Sequence, residues 1–250
     1  MRKYYILLLC ALLSGSATMA RRPKTINLST YNIRHGQGMD GQLAFHRIGS
    51  ILKEAGAQVV AVQEVDSVTK RTDGRYGLRE IGKSIGMKDI YAPAIDFQGG
   101  KYGIGILCQK KPRSVHRIPL PGREESRMLL VAEFRDYVVA CTHLSLTEED
   151  RLASLAIIAQ EASRWDKPFF LMGDLNDELG SKFYYELTQH FRVLSNTKEP
   201  TFPSDAPNVC IDYVAVYRSQ AHRVGEASSR VGKEQTSDHC PLHATIQLLK

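Results

Sequence analysis

The sequence predicts one α+β domain behind a short apolar leader, and three observations carry that expectation. Short apolar runs with strand character alternate with stretches whose apolar residues recur at helical spacing. Two of the strand-like runs, Met128–Phe134 and Tyr137–Cys141, are joined by only Arg135-Asp136, a connection that suits an antiparallel hairpin. No Ser/Gly/Pro-rich linker, charge block, low-complexity tract or fixed-period repeat divides the chain, so the roughly 230 residues after the leader suit a single core.

Met1 to Ala20 reads as a secretory signal peptide. Arg2 and Lys3 supply the positive start, Ile6 to Leu13 the apolar stretch, and Thr18-Met19-Ala20 a small-x-small cleavage site. The stretch is too short for a membrane span, and no second apolar run of about 18 residues follows. Cys10 lies inside the apolar stretch after Leu9, where a lipid-anchored cysteine would want a small neighbour. The expectation is an exported monomer, with residues 21–250 as the domain. Its formal charge is +6 less the two positive charges of Arg2 and Lys3, or +4. That balance permits an anionic substrate without requiring one. Cys108 and Cys141 fall in apolar runs and read as buried thiols, whereas Cys210 and Cys240 adjoin motifs and are open to pairing; no spacing resembles a zinc site.

Ile26–Tyr31 alternates apolar and polar residues and predicts a strand ending at Asn32. Ala44, Ile48, Ile51, Leu52 and Ala55 share a helical face within Gln42–Ala55, which Gly56 stops. Val59–Val62 is a buried strand ending in Gln63-Glu64, and Val65–Arg79 reads as a polar loop whose Lys70, Arg71, Arg75 and Arg79 are either solvated or line a mouth for anions. A short helix at Leu78–Ile85 leads to strands near Ile90–Ile95, Ile104–Cys108 and Val115–Leu120, and then to the hairpin. Thr147-Glu148-Glu149-Asp150 reads as an N-cap with acids in the first turn, opening a long helix whose buried face is Leu152, Leu155, Ala156, Ala159 and Ser163. Phe169–Met172 is a buried strand, followed by a helix at Ser181–Gln189 and the strand Tyr213–Tyr217. Gln220–Glu226 predicts another strand and Leu242–Leu249 the last.

Polar side chains gather where these strands end. Gly173-Asp174-Leu175-Asn176 puts a carboxylate and an amide two residues apart, able to orient a water and stabilise charge, although the same tetrapeptide serves as ordinary turn chemistry. Glu64 could bind a hard cation beside Asn32, or act as an edge residue or ion-pair partner. His143 after the hairpin strand is a structural or a catalytic histidine. Asp212 opens an apolar strand and would be costly to bury unpaired, so a partner is expected, for which an imidazole is suited. Ser237-Asp238-His239 completes the set, fixed by the turn-favouring Pro241.

Taken in order, Thr30-Tyr31-Asn32-Ile33-Arg34-His35-Gly36, Val62-Gln63-Glu64-Val65, Thr142-His143-Leu144, Met172-Gly173-Asp174-Leu175-Asn176, Ile211-Asp212-Tyr213 and Ser237-Asp238-His239 resemble the motifs of the endonuclease/exonuclease/phosphatase (DNase I-like) superfamily. That superfamily includes pancreatic-type DNases, abasic-site endonucleases, inositol polyphosphate phosphatases and bacterial sphingomyelinases. Each motif is short, but the six span residues 30 to 239.

The resemblance implies a four-layer αββα sandwich of two mainly antiparallel sheets, with the site at one end. It implies attack of water on a phosphate ester assisted by Mg²⁺ or Mn²⁺, with Ca²⁺ as a further candidate. Asn32, Glu64 and Asp238 would serve the metal. Asp212 would orient His239, Asp174 and Asn176 would position the nucleophile or stabilise the phosphorane, and His143 would face the phosphate from the other side. Which histidine is acid and which base stays open. Arg34 and His35 are candidates for the substrate phosphate. The only compact basic cluster is Lys110, Lys111 and Arg113, and the motif-linking loops are short, so a small or lipid-linked phosphate ester is favoured over duplex DNA. A secreted DNase-type endonuclease is the alternative, and a non-catalytic phosphate- or head-group-binding module is disfavoured because none of the polar ends is missing.

Overall fold

Val59–Val62 and Phe169–Met172 show no polar face because each lies in a central strand buried on both sides. The protein is described here from a computed structural model covering residues 23–249, so the expected leader Met1–Ala20 lies outside the described residues. The chain opens with β1 (Lys24–Asn32), α1 (Phe45–Glu54), β2 (Val59–Ser67), α2 (Gly77–Ile85) and the hairpin β3 (Lys88–Phe97) and β4 (Gly100–Cys108). It continues with β5 (Ser114–Leu120), β6 (Arg127–Glu133), β7 (Val138–His143), α3 (Glu148–Ala162), β8 (Phe169–Asp174), α4 (Lys182–His190), β9 (Phe191–Val193) and β10 (Asp212–Tyr217). Two last strands, β11 (Val224–Val231) and β12 (Leu242–Leu248), return to the first sheet.

The strands form two six-stranded sheets, ordered β11-β12-β1-β2-β4-β3 and β5-β6-β7-β8-β10-β9. Each has one parallel pair at its centre, β1 with β2 and β7 with β8, bridged by a helix as parallel neighbours require. The topology is thereby duplicated: strand, helix, strand, helix and two strands occur once from β1 to β4 and again from β7 to β10. The ends of β1 and β7, and the late parts of β2 and β8, thus occupy equivalent places. Asn32 and His143 are one such pair, Glu64 and Asp174 the other.

Three apolar layers hold the four structural layers together. Val59, Ala61, Ile104 and Ile106 of one sheet meet Leu130, Val139, Phe170 and Met172 of the other. Tyr31, Val60 and Val62 face outward onto Phe45, Ile48 and Leu52 of α1 and Leu78 and Ile81 of α2. On the far side Ala140, Phe169 and Leu171 face Leu155 and Ile158 of α3 and Phe183 and Leu187 of α4. This is the four-layer αββα sandwich expected.

Several local expectations need correction. β2 does not stop at Glu64 but runs to Ser67 through a bulge, and the supposed loop to Arg79 contains a single 3-10 turn at Lys70–Thr72 and the start of α2. Gln220–Glu226 is a 3-10 turn (Arg218–Arg223) leading into β11. The helix after Thr147 starts where expected, but Thr147 does not cap it through its side chain. Of its expected buried face Leu155 and Ala159 are inside, Leu152 is partly buried and Ala156 and Ser163 are exposed, and Arg151, Ser154, Ile158, Glu161 and Ala162 complete the face instead. The charged residues Arg151 and Glu161 occupy that face because they are paired. Arg151 bridges to Asp177 at 2.6 Å, and Glu161 receives Trp165 Nε1 at 3.3 Å and meets His116 at 3.1 Å. Cys210 and Cys240 do not pair; all four described cysteines are buried free thiols, and burial pushes the Cys210 thiol up to about 12. No helix among the described residues is long and apolar enough to cross a membrane.

His243 on β12 gives the fold a pH sensitivity away from the site. It is buried, its Nδ1 lies 2.8 Å from Ser29 Oγ, and burial, with Arg230 beside it, pushes the imidazole down to about 4. A folded-state value below the unfolded one of about 6.5 means that stability is intact above that pH and is lost as pH falls toward 4. Going from pH 7.5 to 5 should cost about 2 kcal/mol through this group. In His243→Gln, which keeps a partner for Ser29, that part of the shift in urea midpoint should vanish; an unchanged shift would reject the assignment.

Candidate active site

Sheet register assembles the core of the site around Asp174. In the parallel β7–β8 pair Asp174 lies opposite His143, and in the antiparallel β8–β10 pair it lies opposite Asp212. Gly173 makes this possible by a route the sequence reading did not give. It is no turn residue but part of β8, at φ 150°, and a Cβ there would come 2.0 Å from the Thr142 carbonyl oxygen. Only glycine allows the two parallel strands to approach so closely where the side chains emerge.

Asp174 is buried and held from several sides. Its Oδ1 accepts from the Asn176 backbone N–H at 2.9 Å and its Oδ2 from Asn32 Nδ2 at 3.0 Å. The same Oδ2 faces His143 Nε2 at 3.5 Å and His239 Nε2 at 3.6 Å. Asn176, at φ 50°, donates its side-chain amide to the Leu144 carbonyl at 2.8 Å and so ties the turn after β8 to the one after β7.

Asp212 and His239 are coupled as the sequence suggested: His239 Nδ1 lies 2.9 Å from Asp212 Oδ2, with both side chains buried. Thr201 holds the arrangement. Its Oγ1 accepts from the Ile211 and Asp212 backbone N–H groups at 3.2 and 3.3 Å, its carbonyl accepts from Cys240 N at 2.7 Å, and the neighbouring Phe202 ring lies 4.7 Å from that of His239. Ser237 fastens the last motif to β1 by donating to the Asn32 carbonyl at 2.7 Å.

The two imidazoles differ electrostatically. Burial pushes His143 down to about 4, with Arg127 adding to the effect and Asp174 opposing it, so this ring is neutral at pH 7. Burial also opposes charge on His239, but Asp212 and Asp174 outweigh it and hold this ring up at about 10, an imidazolium. Asp212 Oδ1 has no hydrogen-bond partner, which leaves the imidazolium as the principal compensation for a buried carboxylate.

Glu64 reaches the site from a bulge rather than a strand end. Pairing of β2 with β4 shifts register between Val62 and Val65, and Glu64 takes φ 55°, which re-aims its side chain toward Asn32. Of seven non-glycine residues at positive φ among the described ones, four are site candidates: Arg34, His35, Glu64 and Asn176. Such concentration marks the region as one whose backbone serves function rather than stability.

The donor set suits a hard cation. Asp174, Asp238 and Glu64 converge, and burial followed by the charges of Asp238 and Asp174 raises the Glu64 carboxyl despite a 3.0 Å hydrogen bond from Asn32. Arg34 Nε, 3.6 Å from Asp238 Oδ2, is the cation that approaches. A divalent ion would relieve this repulsion, and Glu64 and Asp238 are the partly buried oxygen donors that would hold it. Asn32 is placed differently: its Nδ2 bridges Glu64 and Asp174 while its Oδ1 accepts from Arg34 N at 3.1 Å, so it spaces the carboxylates. Asp174, Asp212 and His239 also bring ligand atoms within 4.8 Å of one another. There, however, the Asp212–His239 hydrogen bond already occupies two of the three groups, and a cation would have to displace its proton.

Of the basic loop residues Arg71 borders the site, while Arg75 pairs with Glu80 and Arg79 with Asp89. Arg71 forks onto buried Asp66 at 2.7 and 2.8 Å, and its charge, after burial, helps lower His35. Arg127, which borders His143, and its neighbour Glu125 escaped the sequence reading altogether. Nothing in Glu124-Glu125-Ser126-Arg127 distinguishes it from an exposed polar turn; only the sheet places it beside His143.

Two facing six-stranded sheets with carboxylates, amides and imidazoles gathered at one end define a DNase I-like protein. The chain belongs to the endonuclease/exonuclease/phosphatase family, whose model matches residues 29–239 and whose members are generally hydrolases acting on phosphate esters. The fold is shared with the endonuclease/exonuclease/phosphatase of Beutenbergia cavernae at 18% identity and TM-score 0.72, covering 90% of this chain and 72% of that one. It is also shared with the mannosyl-6-phosphatase of Bacteroides thetaiotaomicron at 14% identity and TM-score 0.72, covering 88% and 99%. Truncated TDP2 of Caenorhabditis elegans aligns at 16% identity and TM-score 0.67, covering 89% and 97%. No curated protein matches the chain in sequence.

Proposed function

We propose that the chain is a divalent-metal-dependent phosphoesterase that hydrolyses a small or lipid-linked phosphate mono- or diester. The observation that carries this reading is the convergence of Glu64, Asp174 and Asp238 beside two imidazoles, one neutral and one positively charged. Mg²⁺ or Mn²⁺, with Ca²⁺ as the third candidate, would be held by Glu64 and Asp238 and would supply charge neutralisation at a non-bridging oxygen.

The residues divide the remaining work. His239, as an imidazolium oriented by Asp212, directs Nε2 at the phosphate and donates to its oxygen. Asp174, fixed by Asn32 and the Asn176 backbone, accepts a proton from the attacking water. His143 remains neutral and offers a hydrogen bond from the opposite flank, and Arg34 and His35 stand at the mouth to meet the phosphate charge. A neighbour that is a mannosyl-6-phosphatase supports phosphate-ester chemistry in this fold.

The test is a panel of phenyl phosphate, sugar phosphates, phosphatidic acid, a nucleotide diester and supercoiled plasmid, assayed with Mg²⁺, Mn²⁺ or Ca²⁺ and again in excess EDTA. Turnover of at least one small or lipid-linked ester, abolished by EDTA and restored by metal, is expected. Plasmid nicking with no turnover of the others would overturn the reading in favour of a nuclease.

A further inference from the structure

The end of the sandwich opposite the active site carries a charge that the chemistry above leaves unused. β1, β2, β7 and β8 all start there and run toward the site, so Lys24 stands about 26 Å from Asn32 along β1. A cleft of 250 Å³ opens between the two sheets at this end, with Ile26, Val59, Phe134 and Tyr137 in its lining. Around them stand Lys24, Lys110, Lys111, Arg113 and Arg135, with Asp136 as the one carboxylate. A second depression shares Lys24, Arg135 and Asp136 with the first and adds Lys167, Arg223 and Asp166.

Elsewhere on the surface cations are matched: Arg47 pairs with Asp40, Arg79 with Asp89 and Arg123 with Asp150. Here the carboxylates are already engaged. Asp136 holds Lys24 at 2.5 Å, and Glu133 holds Lys167 at 2.7 Å and Ser114 at 2.9 Å. Lys110, Lys111 and Arg113 are exposed and form no ion pair among the described residues. They do not sit on a loose arm. Gln109 donates from its backbone to the Gln58 carbonyl and from its side chain to the Ala57 carbonyl, both at 3.0 Å, and Arg113 N donates to the Glu133 carbonyl at 2.7 Å. The connection is thus fastened to one sheet at its start and to the other at its end, with Pro112 stiffening it between. Three like charges within four residues are pinned across the gap, a repulsion that an external anion would relieve.

Geometry selects among anions. A lone phosphate in the cleft would meet cations only from an exposed rim, whereas an extended anionic surface meets those of both sheets together. Duplex DNA held here would lie at the far end from Asp174 and out of its reach. The chain's own order favours a bilayer: the apolar leader expected at Met1–Ala20 joins the domain at Pro23, which borders the second depression, and Arg21 and Arg22 precede Lys24.

We propose that this basic end docks the protein on an anionic phospholipid bilayer and so holds the mouth of the active site facing away from the membrane. The inference is independent of the reaction at the site. Each cation near such a surface strengthens partitioning about fivefold, and the attraction fades within a Debye length.

The test is co-sedimentation of the full chain, as the cell processes it, with vesicles of phosphatidylcholine alone or of phosphatidylcholine mixed with phosphatidylglycerol. Three proteins are compared: the wild type, a variant carrying Lys110→Gln, Lys111→Gln and Arg113→Gln, and one carrying Lys182→Gln, Lys198→Gln and Lys233→Gln. The last removes equal charge from exposed positions away from the basic end. All three share one N-terminal segment, so its own affinity for lipid cancels, and circular dichroism and melting confirm the fold. The wild type should bind the mixed vesicles far more tightly than phosphatidylcholine and be released at about 0.5 M salt, where the Debye length is roughly 4 Å. The first variant should bind the mixed vesicles about a hundredfold more weakly, and the second within about threefold of the wild type. Equal binding of the wild type to both vesicles, a first variant that binds like the wild type, or equal losses in the two variants would overturn the proposal. So would a wild type that duplex DNA draws off the mixed vesicles at equal phosphate concentration, which would give this end to nucleic acid instead.

Discussion

His239→Ala should lower turnover of the best phosphate ester by about a hundredfold or more, the usual scale for losing a positioned acid or base. The same substitution should cost about 3–5 kcal/mol of stability, because it leaves Asp212 buried without its counter-charge. Asp212 is fully buried and its Oδ1 is already unpartnered, so nothing within hydrogen-bonding reach replaces the imidazolium. Asp212→Asn alone should also slow turnover, acting through the orientation and charge of His239. The two effects then separate in the double variant. Adding Asp212→Asn to His239→Ala should restore stability by removing the stranded charge, while costing little further activity. Steady-state kinetics and urea unfolding on the four proteins decide it. Losses of rate that multiply, or a double variant less stable than His239→Ala, would show that the two residues act separately.

Glu64→Gln should remove most activity, again about a hundredfold or more, with no loss of stability in the metal-free protein. The carboxylate is raised by burial and by Asp238 and Asp174, so its ionised form is a local destabilisation tolerated for function. Glutamine keeps an oxygen for Asn32 Nδ2, which donates to Glu64 Oε1 at 3.0 Å in the native protein. What should disappear is the response to metal. Mg²⁺ or Mn²⁺ at a hundredfold excess over Kd stabilises the native protein by about 2.7 kcal/mol if it binds only the folded state. In Glu64→Gln that rise in Tm should be largely lost. A native-like metal-induced shift in Glu64→Gln would move the cation site elsewhere, with the Asp174, Asp212 and His239 group the next to test.

These residues also mark how far the sequence could be read. Val59–Val62 and Phe169–Met172 identify buried strands because four consecutive apolar residues leave no face for water, and the packing on both sides agrees. Asp212 was legible as a paired carboxylate because it opens an apolar strand, where an unpaired charge would be too costly. Glu64 was legible as a residue and misplaced as a position. Local pattern cannot show that a strand continues through a bulge, because the register shift is made by the partner strand β4. For the same reason the α3 face was misjudged: Arg151 and Glu161 look like solvent residues until Asp177 and His116 are brought to them.

By itself the sequence determined the alternation of strands and helices, the hairpin at Arg135-Asp136 and the order of six polar motifs, because each depends on neighbours in the chain. Tertiary structure alone decided that Gly173 is needed for strand contact, that Asn32 separates two carboxylates and that His143 and His239 differ in charge. It also placed Glu125 and Arg127 beside His143. Those properties come from burial and from groups as far apart as Asn32 and Asp174, 142 positions distant in the chain, and a field or a close approach exists only once folding has made the distance short.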